Sequence, residues 1–179
     1  MSQVYQFDPE AKVIGQVLFI FPENQQAEKM RPLLERFGFA TLDPEAWYRV
    51  QDVVGLFEAI TTGSEAMFNL VSIGMEIAQK AVLPADLAAL SAEEFFPIIG
   101  QVYQLQHQGD VGYVTTNGVE PTHFAIEIVS PYPDDFWYGC IYGWARRYLP
   151  EGTAFVVEYD PDIPRRDNGG DTTVIHVSW

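Results

Sequence analysis

Apolar side chains recur every three or four residues through the first half of the chain, a spacing typical of amphipathic helices. One such stripe lies between Gln25 and Phe37 and predicts a helix that ends at Gly38. A second helix is predicted to begin at Asp43, whose carboxylate can cap free N–H groups, and to end at Gly63. The predicted buried face of this second helix comprises Trp47, Val50, Val54, Phe57 and Ile60.

Two further helices follow in the predicted helical half. Ser64 is expected to cap a helix of the core, and Ser91 with Glu94 has the capping-box pattern of a helix start. Pro97 lies inside that last helix, where a proline removes a hydrogen bond and predicts a kink or a shifted start. The apolar segment 13–21 fits either a buried strand or a short helix, and the helix is the favoured interpretation. The core face of the helix capped by Ser64 would comprise Met67, Phe68, Val71, Met75 and Ala78.

Beyond Gly109 the pattern changes to the strict alternation of apolar and polar residues that is typical of strands. The turn of the first hairpin is predicted to pass through Asn117, Gly118 and Pro121, a loop slightly longer than the tightest type. A helix is predicted from Asp134 to Leu149, because two acids stand at its start and two arginines in its last turn. The predicted strands cover residues 111–116, 123–129, 153–159 and 172–179.

These elements predict an α+β fold in a single domain, residues 1–179. Residues 1–108 would form a mainly helical half that packs on a small antiparallel sheet of about four strands. Residues 109–179 would supply that sheet and one helix. A chain of 179 residues, 47% of them apolar, can bury a core without a metal or a disulfide, and its one cysteine, Cys140, excludes an internal disulfide.

The chain is strongly acidic, with 25 Asp and Glu against 10 Lys and Arg and a formal net charge of -15. No Lys or Arg lies between Lys80 and Arg146, so the clustered cations that bind phosphates are missing there. We therefore expect neither nucleic acid nor a membrane as a partner. A signal-peptide pattern and an apolar run of about 20 residues are also missing, which favours a cytoplasmic protein. Any protein partner is expected to be basic.

The predicted helix from Asp134 to Leu149 is unusually rich in aromatic residues. Gly139 and Gly143 lie within it, and each costs about 1 kcal/mol relative to alanine, which indicates that a strand or a ligand approaches the backbone there. The aromatic face is expected to pack on the sheet and, in the functional interpretation, to line a pocket for an apolar small molecule. The residues on this face, at three- and four-residue spacing, are Trp137, Cys140, Ile141 and Trp144.

Four other side chains are candidates for polar contacts. Tyr103 and His107, four residues apart near the end of the preceding helix, are candidates for the polar groups of the pocket, although a structural role is the favoured interpretation of His107. Arg165 and Arg166 lie beside a glycine-rich turn and are a candidate anion site. The favoured interpretation of the two arginines is that they balance nearby acids in a hairpin turn.

Residue patterns of the common enzymatic and metal chemistries do not occur. The sequence has no phosphate-binding glycine loop, zinc-protease, serine-hydrolase or CxxC motif, and its three histidines lack the spacing of zinc or haem ligands. Cys140 with His107 or His176 is the candidate for a nucleophile and base, but an apolar position within a helix raises the pKa of a thiol. We therefore expect a non-catalytic protein without a metal site.

The segment PYPDDFWYGCIYGWARRYLP, followed by a strand and then RRDNGGDTTVIHVSW, resembles the V4R domain, a small-molecule-binding domain of the 4-vinyl-reductase type. It is similar also to the wider superfamily with the haem nitric-oxide-binding domains and the Bet3-type trafficking subunits. The resemblance covers about the last eighty residues. It implies a helical half on a small antiparallel sheet, a ligand held between them, and a sensory role. The V4R cysteines are absent from residues 164–173, and the Tyr-x-Ser-x-Arg motif of the haem-binding branch does not occur.

The sequence thus favours a non-catalytic sensory domain that binds an apolar small molecule and requires no cofactor. An adaptor that acts through a protein surface, as a homodimer or as a subunit of a signalling complex, is the alternative from another class. A haem-binding gas sensor and a cysteine-dependent enzyme are third alternatives.

Overall fold

The computed structural model of the protein describes residues 7–18, 27–62 and 69–179. Its α-helices are α1 (Ala27–Arg36), α2 (Val50–Thr62), α3 (Leu70–Lys80), α4 (Ala85–Ala88), α5 (Ala92–Phe95), α6 (Ile99–Leu105) and α7 (Asp134–Tyr148). Its strands are β1 (Lys12–Ile14), β2 (Trp47–Arg49), β3 (His107–Gln108), β4 (Tyr113–Glu120), β5 (His123–Val129), β6 (Val156–Tyr159) and β7 (Thr173–Ser178). Short 3-10 helices cover Gly15–Leu18, Phe96–Ile98 and Arg166–Asn168. The predicted α+β class is confirmed.

The strands form two antiparallel sheets. The four-stranded sheet has the order β4-β5-β7-β6 and is the sheet that the sequence predicted. Its central strand β5 alternates as expected, because Phe124, Ile126 and Ile128 are buried while the residues between them are partly exposed. The second sheet has three strands in the order β2-β1-β3 and was not predicted, since strands of two or three residues are too short to show an alternation.

Helices α3 and α7 pack against each other along their length through small residues. A Cβ atom on Gly139 would overlap the carbonyl oxygen of Val71, and one on Gly74 would overlap the carbonyl oxygen of Phe136. A Cβ atom on Gly143 would lie 2.6 Å from the carbonyl oxygen of Met75. The expectation that a strand or a ligand fills this groove is wrong, because the backbone of a second helix fills it.

Helix starts differ from the prediction in the first half of the chain. Asp43 does not begin a helix: its Oδ1 accepts a hydrogen bond from the Glu45 amide at 2.9 Å in a turn that leads into β2, and α2 begins only at Val50. The start of α3 is capped by Asn69, whose side chain accepts from the Val71 amide. The predicted cap Ser64 and the core residues Met67 and Phe68 lie outside the described residues, as does the region 19–26.

Other predicted details can be compared directly with the structure. The capping box of Ser91 and Glu94 is present, and a 3-10 helix at Pro97 separates α5 from α6, as its missing N–H suggested. Asn117 and Gly118 do not form the hairpin turn but lie within β4, and the turn falls at Pro121 and Thr122. The part of segment 13–21 that is described forms the end of β1 and a 3-10 helix. No described helix is long and apolar enough to cross a lipid bilayer.

Candidate ligand-binding site

The start of α7 is fixed by a buried carboxylate. Asp134 is fully buried and accepts hydrogen bonds from the Thr173 hydroxyl at 2.6 Å and from the Asp167 amide at 2.9 Å. In return, the Asp134 amide donates to the Asp167 carboxylate at 3.0 Å. These bonds join the N-terminus of α7 to the loop before β7 and so set the direction in which the aromatic side chains of α7 point.

A mostly apolar cavity of about 50 Å³ lies where the first sheet, α2, α3, α6 and α7 meet. Five of the six residues that the sequence predicted for a pocket line this one cavity, and Ile141 is buried outside its lining. The lining comprises Val13, Val17, Leu18, Val53, Phe57, Ile77, Ile99, Val102, Tyr103, Gln106, His107, Tyr132, Phe136, Trp137, Cys140 and Trp144. The structure thus brings these side chains together, and their role in binding stays a prediction.

His107 supplies the main polar edge of the cavity. Its Nδ1 lies 2.7 Å from the Tyr103 carbonyl oxygen, and its Nε2 lies 2.7 Å from the Tyr132 hydroxyl. Because a carbonyl can only accept, Nδ1 carries the proton, so Nε2 accepts the Tyr132 hydroxyl proton. Burial lowers the pKa of His107 to about 4, so the ring is neutral at physiological pH.

Tyr132 is the site residue that sequence reasoning missed. Its ring is buried, and burial raises the pKa of its hydroxyl above the usual range. The buried Ser130 links Tyr132 to α7, since its hydroxyl accepts hydrogen bonds from the Tyr132 amide at 3.2 Å and from the Trp137 indole at 2.6 Å. The signal for Tyr132 was its position between Pro131 and Pro133, which fix the backbone ahead of α7.

The surroundings of Cys140, His107 and His176 do not favour a cysteine-dependent enzyme. Cys140 is buried, and burial raises the pKa of its thiol well above the usual range, whereas a nucleophilic cysteine needs a lowered pKa. Both ring nitrogens of His107 are engaged by tyrosines, and both ring nitrogens of His176 are engaged by His123 and Asp160. Within the described residues, no group of three or more potential ligands is arranged to hold a metal ion.

The two arginines of the candidate anion site lie among carboxylates. The Arg165 guanidinium is 3.2 Å from the Asp135 carboxylate and stacks over the ring of Tyr159 at 4.2 Å. Arg166 is buried. The pKa of Asp167 is raised, first by burial and then by the charge of Asp134, and the charge of Arg166 acts against this rise. Arg165 thus contacts an acid, as the favoured interpretation of a hairpin turn expects, whereas Nη1 of the buried Arg166 has no hydrogen-bond partner among the described residues, and the candidate anion site stays a prediction.

One feature of the described surface fits the adaptor alternative. An open groove of about 690 Å³ lies between α6 and β4. Its border includes two exposed apolar side chains, Leu105 at 65% and Tyr113 at 43% exposure. A protein partner stays a prediction.

Solved structures similar to this one share its architecture over most of the chain. An oxygen-binding H-NOX domain related to soluble guanylate cyclases, in its oxygen complex, matches with a TM-score of 0.62 and 14% identity over 92% of this chain and 91% of that one. A Cs H-NOX variant that contains 4-cyano-phenylalanine matches with a TM-score of 0.65 and 14% identity over 92% of both chains. An H-NOX variant from T. tengcongensis matches with a TM-score of 0.63 and 13% identity over 92% and 93%.

The chain has an H-NOX-like fold. This supports the haem nitric-oxide-binding side of the resemblance, while the V4R side stays a prediction. No protein-family model and no curated protein matches the sequence. Similar structures also come from work on haem distortion in H-NOX proteins, so haem is the group to test against the residues of this cavity.

The residues of the cavity do not fit a haem. A volume of about 50 Å³ is far below the 300–1,000 Å³ or so of pockets for larger ligands. No Lys or Arg is among the described residues that line the cavity, so these residues offer no cationic partner to the two carboxylates of a haem. The Nε2 lone pair of His107, which would bind iron, is taken by Tyr132. The Tyr-x-Ser-x-Arg motif of the haem-binding branch also does not occur in the sequence.

Proposed function

We propose that the protein is a non-catalytic sensory domain that binds one small, mostly apolar molecule in the cavity between β1, α2, α6 and α7. The observation that supports this proposal is the mostly apolar cavity at which Trp137, Cys140 and Trp144 of α7 meet Tyr103 and His107. Binding sites are typically concave and apolar with few polar groups. Since the cavity lies between the first sheet and the aromatic helix, a ligand there would change how these elements pack.

Xenon is expected to bind this cavity, because apolar cavities inside proteins take up xenon. In proton–nitrogen NMR spectra recorded under xenon pressure, the indole signals of Trp137 and Trp144 should shift and reach saturation. The indoles of Trp47, which is 37% exposed, and Trp179, which packs on Phe96 outside the cavity, should stay unchanged and serve as internal references.

A pair of variants controls this experiment. Val102→Leu adds one methylene to the lining. Burial of a methylene is worth about 0.8 kcal/mol, and a loss of that size from the binding free energy should weaken xenon binding about fourfold. Val119→Leu makes the same change at an exposed position of β4 and should leave xenon binding unaltered. Shifts that grow linearly in all four indoles, without saturation, would contradict the proposal.

A haem-bound gas sensor is the second candidate function, and two observations favour it. The fold is that of the H-NOX structures, and the protonated Nδ1 of His107 faces a carbonyl, which is the arrangement that leaves Nε2 able to bind a metal. We still rank it second because of the small cavity and the His107–Tyr132 hydrogen bond.

Haemin added to the purified protein is expected to give no absorption band of a histidine-bound haem. His107→Ala and His123→Ala should both leave that spectrum unchanged, because neither histidine would contact iron. A histidine-bound spectrum that is lost in His107→Ala but kept in His123→Ala would establish the second candidate instead.

A further inference from the structure

We propose that the ligand of the cavity is a small neutral molecule with one hydroxyl group, and that this group inserts between His107 Nε2 and the Tyr132 hydroxyl. This inference rests on the proposed function and names the chemical class of its ligand. It is carried by the two opposed hydrogen-bonding groups in the lining and by the size of the cavity.

The first step is the fixed direction of the hydrogen bonds. His107 Nδ1 must donate to the Tyr103 carbonyl, so Nε2 is an acceptor only. Tyr132 is then the donor in the 2.7 Å bond between them. A group that separates the two must donate to Nε2 and accept from the tyrosine hydroxyl. A hydroxyl group does both with one atom.

The second step excludes other ligand classes at this position. A purely apolar group placed between His107 and Tyr132 would leave a buried acceptor and a buried donor unsatisfied, which is costly. A carboxylate or an ammonium group would be a buried charge without a partner, because the lining formed by the described residues contains no Lys, Arg, Asp or Glu. Of the other polar lining residues, Gln106 is neutral and so offers no charge to an ionic ligand, and the Tyr103 hydroxyl is already bound to the Val111 carbonyl at 2.7 Å.

The third step is size. A cavity of about 150 Å³ holds a benzene ring, so one of about 50 Å³ suits a molecule of only a few heavy atoms. The remaining surface of such a molecule would contact Trp137 and Phe57, which favour an apolar chain. A short aliphatic alcohol combines the hydroxyl group, the neutrality and the size.

Ethanol and propane are matched probes, since they have nearly the same shape and differ in the hydroxyl group. Their affinities are measured by the shifts of the Trp137 and Trp144 indole signals in the wild type and in a double variant, His107→Leu with Tyr132→Phe. Replacing both partners of a hydrogen bond by apolar groups is close to neutral for stability, and the Tyr103 carbonyl, which loses the bond from His107 Nδ1, keeps the one from the Gln106 amide at 3.2 Å, so the double variant should fold. The affinity of ethanol relative to propane should fall about tenfold or more in the double variant.

An unchanged ratio would overturn this inference and leave the proposed function intact, because both probes would still bind. Failure of ethanol, propane and xenon alike would instead remove the proposed function and the inference with it. A second measurement decides the case if the double variant does not fold. In the wild type, ethanol should shift the nitrogen resonance of His107 Nε2, and propane should not; equal shifts from both probes would contradict the insertion.

Discussion

Replacing Gly139 by alanine is expected to destabilise the protein by about 2 kcal/mol or more, although alanine is the better helix former. Helix propensity alone would stabilise the variant by about 1 kcal/mol. The new Cβ atom, however, would overlap the Val71 carbonyl oxygen of the facing helix α3. Since a backbone atom cannot turn aside as a side chain can, α3 and α7 must separate, and we expect this overpacking to cost about 3 kcal/mol or more, the upper end of the usual range, which leaves a net loss of about 2 kcal/mol or more. Urea unfolding monitored by tryptophan fluorescence measures the change.

Gly118→Ala is the matched control for this substitution. An added Cβ there has only the edge of the Phe124 ring within reach, at 4.0 Å, and the glycine lies in β4 away from the helix pair. Its stability should change by no more than about 0.5 kcal/mol. A Gly139→Ala protein as stable as the wild type would show that α3 and α7 do not pack as closely as described.

These glycines show what the sequence could and could not predict about packing. Gly139 and Gly143 indicated a close backbone approach, because two glycines four residues apart in a helix need a structural reason. The partner was not predictable from that pattern. Gly74 lies in another helix, and only the folded structure shows that its own missing Cβ completes the same contact. A local pattern thus identified the groove, and tertiary structure determined what fills it.

Local chemistry predicted some helix ends and misled at others. The capping box at Ser91 was reliable because its two hydrogen bonds close within four residues. Asp43 has an equally good capping pattern, yet the residues after it pair with β1, where Tyr48 lies opposite Val13. Pairing between distant segments outweighs a local preference of about 1 kcal/mol. The same reason explains why the first sheet was not predicted.

The candidate site shows a similar division. Tyr103, His107, Trp137, Cys140 and Trp144 were singled out by helical spacing, and the structure places all five around one cavity. Tyr132 has no such spacing, because it lies in an irregular turn 25 residues from His107 in sequence. Its hydroxyl nevertheless decides which atoms of His107 are accessible, and so bears on the chemical class of the ligand.

Acidification from pH 6.5 to pH 4 is expected to remove about 3 kcal/mol of stability through His107 alone. Burial lowers the pKa of the folded ring to about 4 from the ordinary value of 6.5, so in this range the unfolded chain binds the proton more readily than the folded one. The free energy of unfolding therefore falls as the pH falls, and the contribution is fully present only above about pH 6.5. One pKa unit corresponds to about 1.4 kcal/mol, which gives the expected size.

Comparing the pH dependence of unfolding in two proteins separates the contribution of His107 from that of the carboxylates. The wild type and a His107→Gln variant contain the same acidic residues, so the difference between their pH profiles reports on the imidazole. The difference in unfolding free energy between the wild type and His107→Gln should change by about 3 kcal/mol between pH 6.5 and pH 4. The control variant His123→Gln should lose as much stability on acidification as the wild type does. Nitrogen NMR of the ring adds a direct test, since His107 should remain the Nδ1-protonated neutral tautomer at pH 5.5. A ring that is half protonated near pH 6.5 would mean that water reaches Nε2, and would contradict the buried hydrogen bond between His107 and Tyr132.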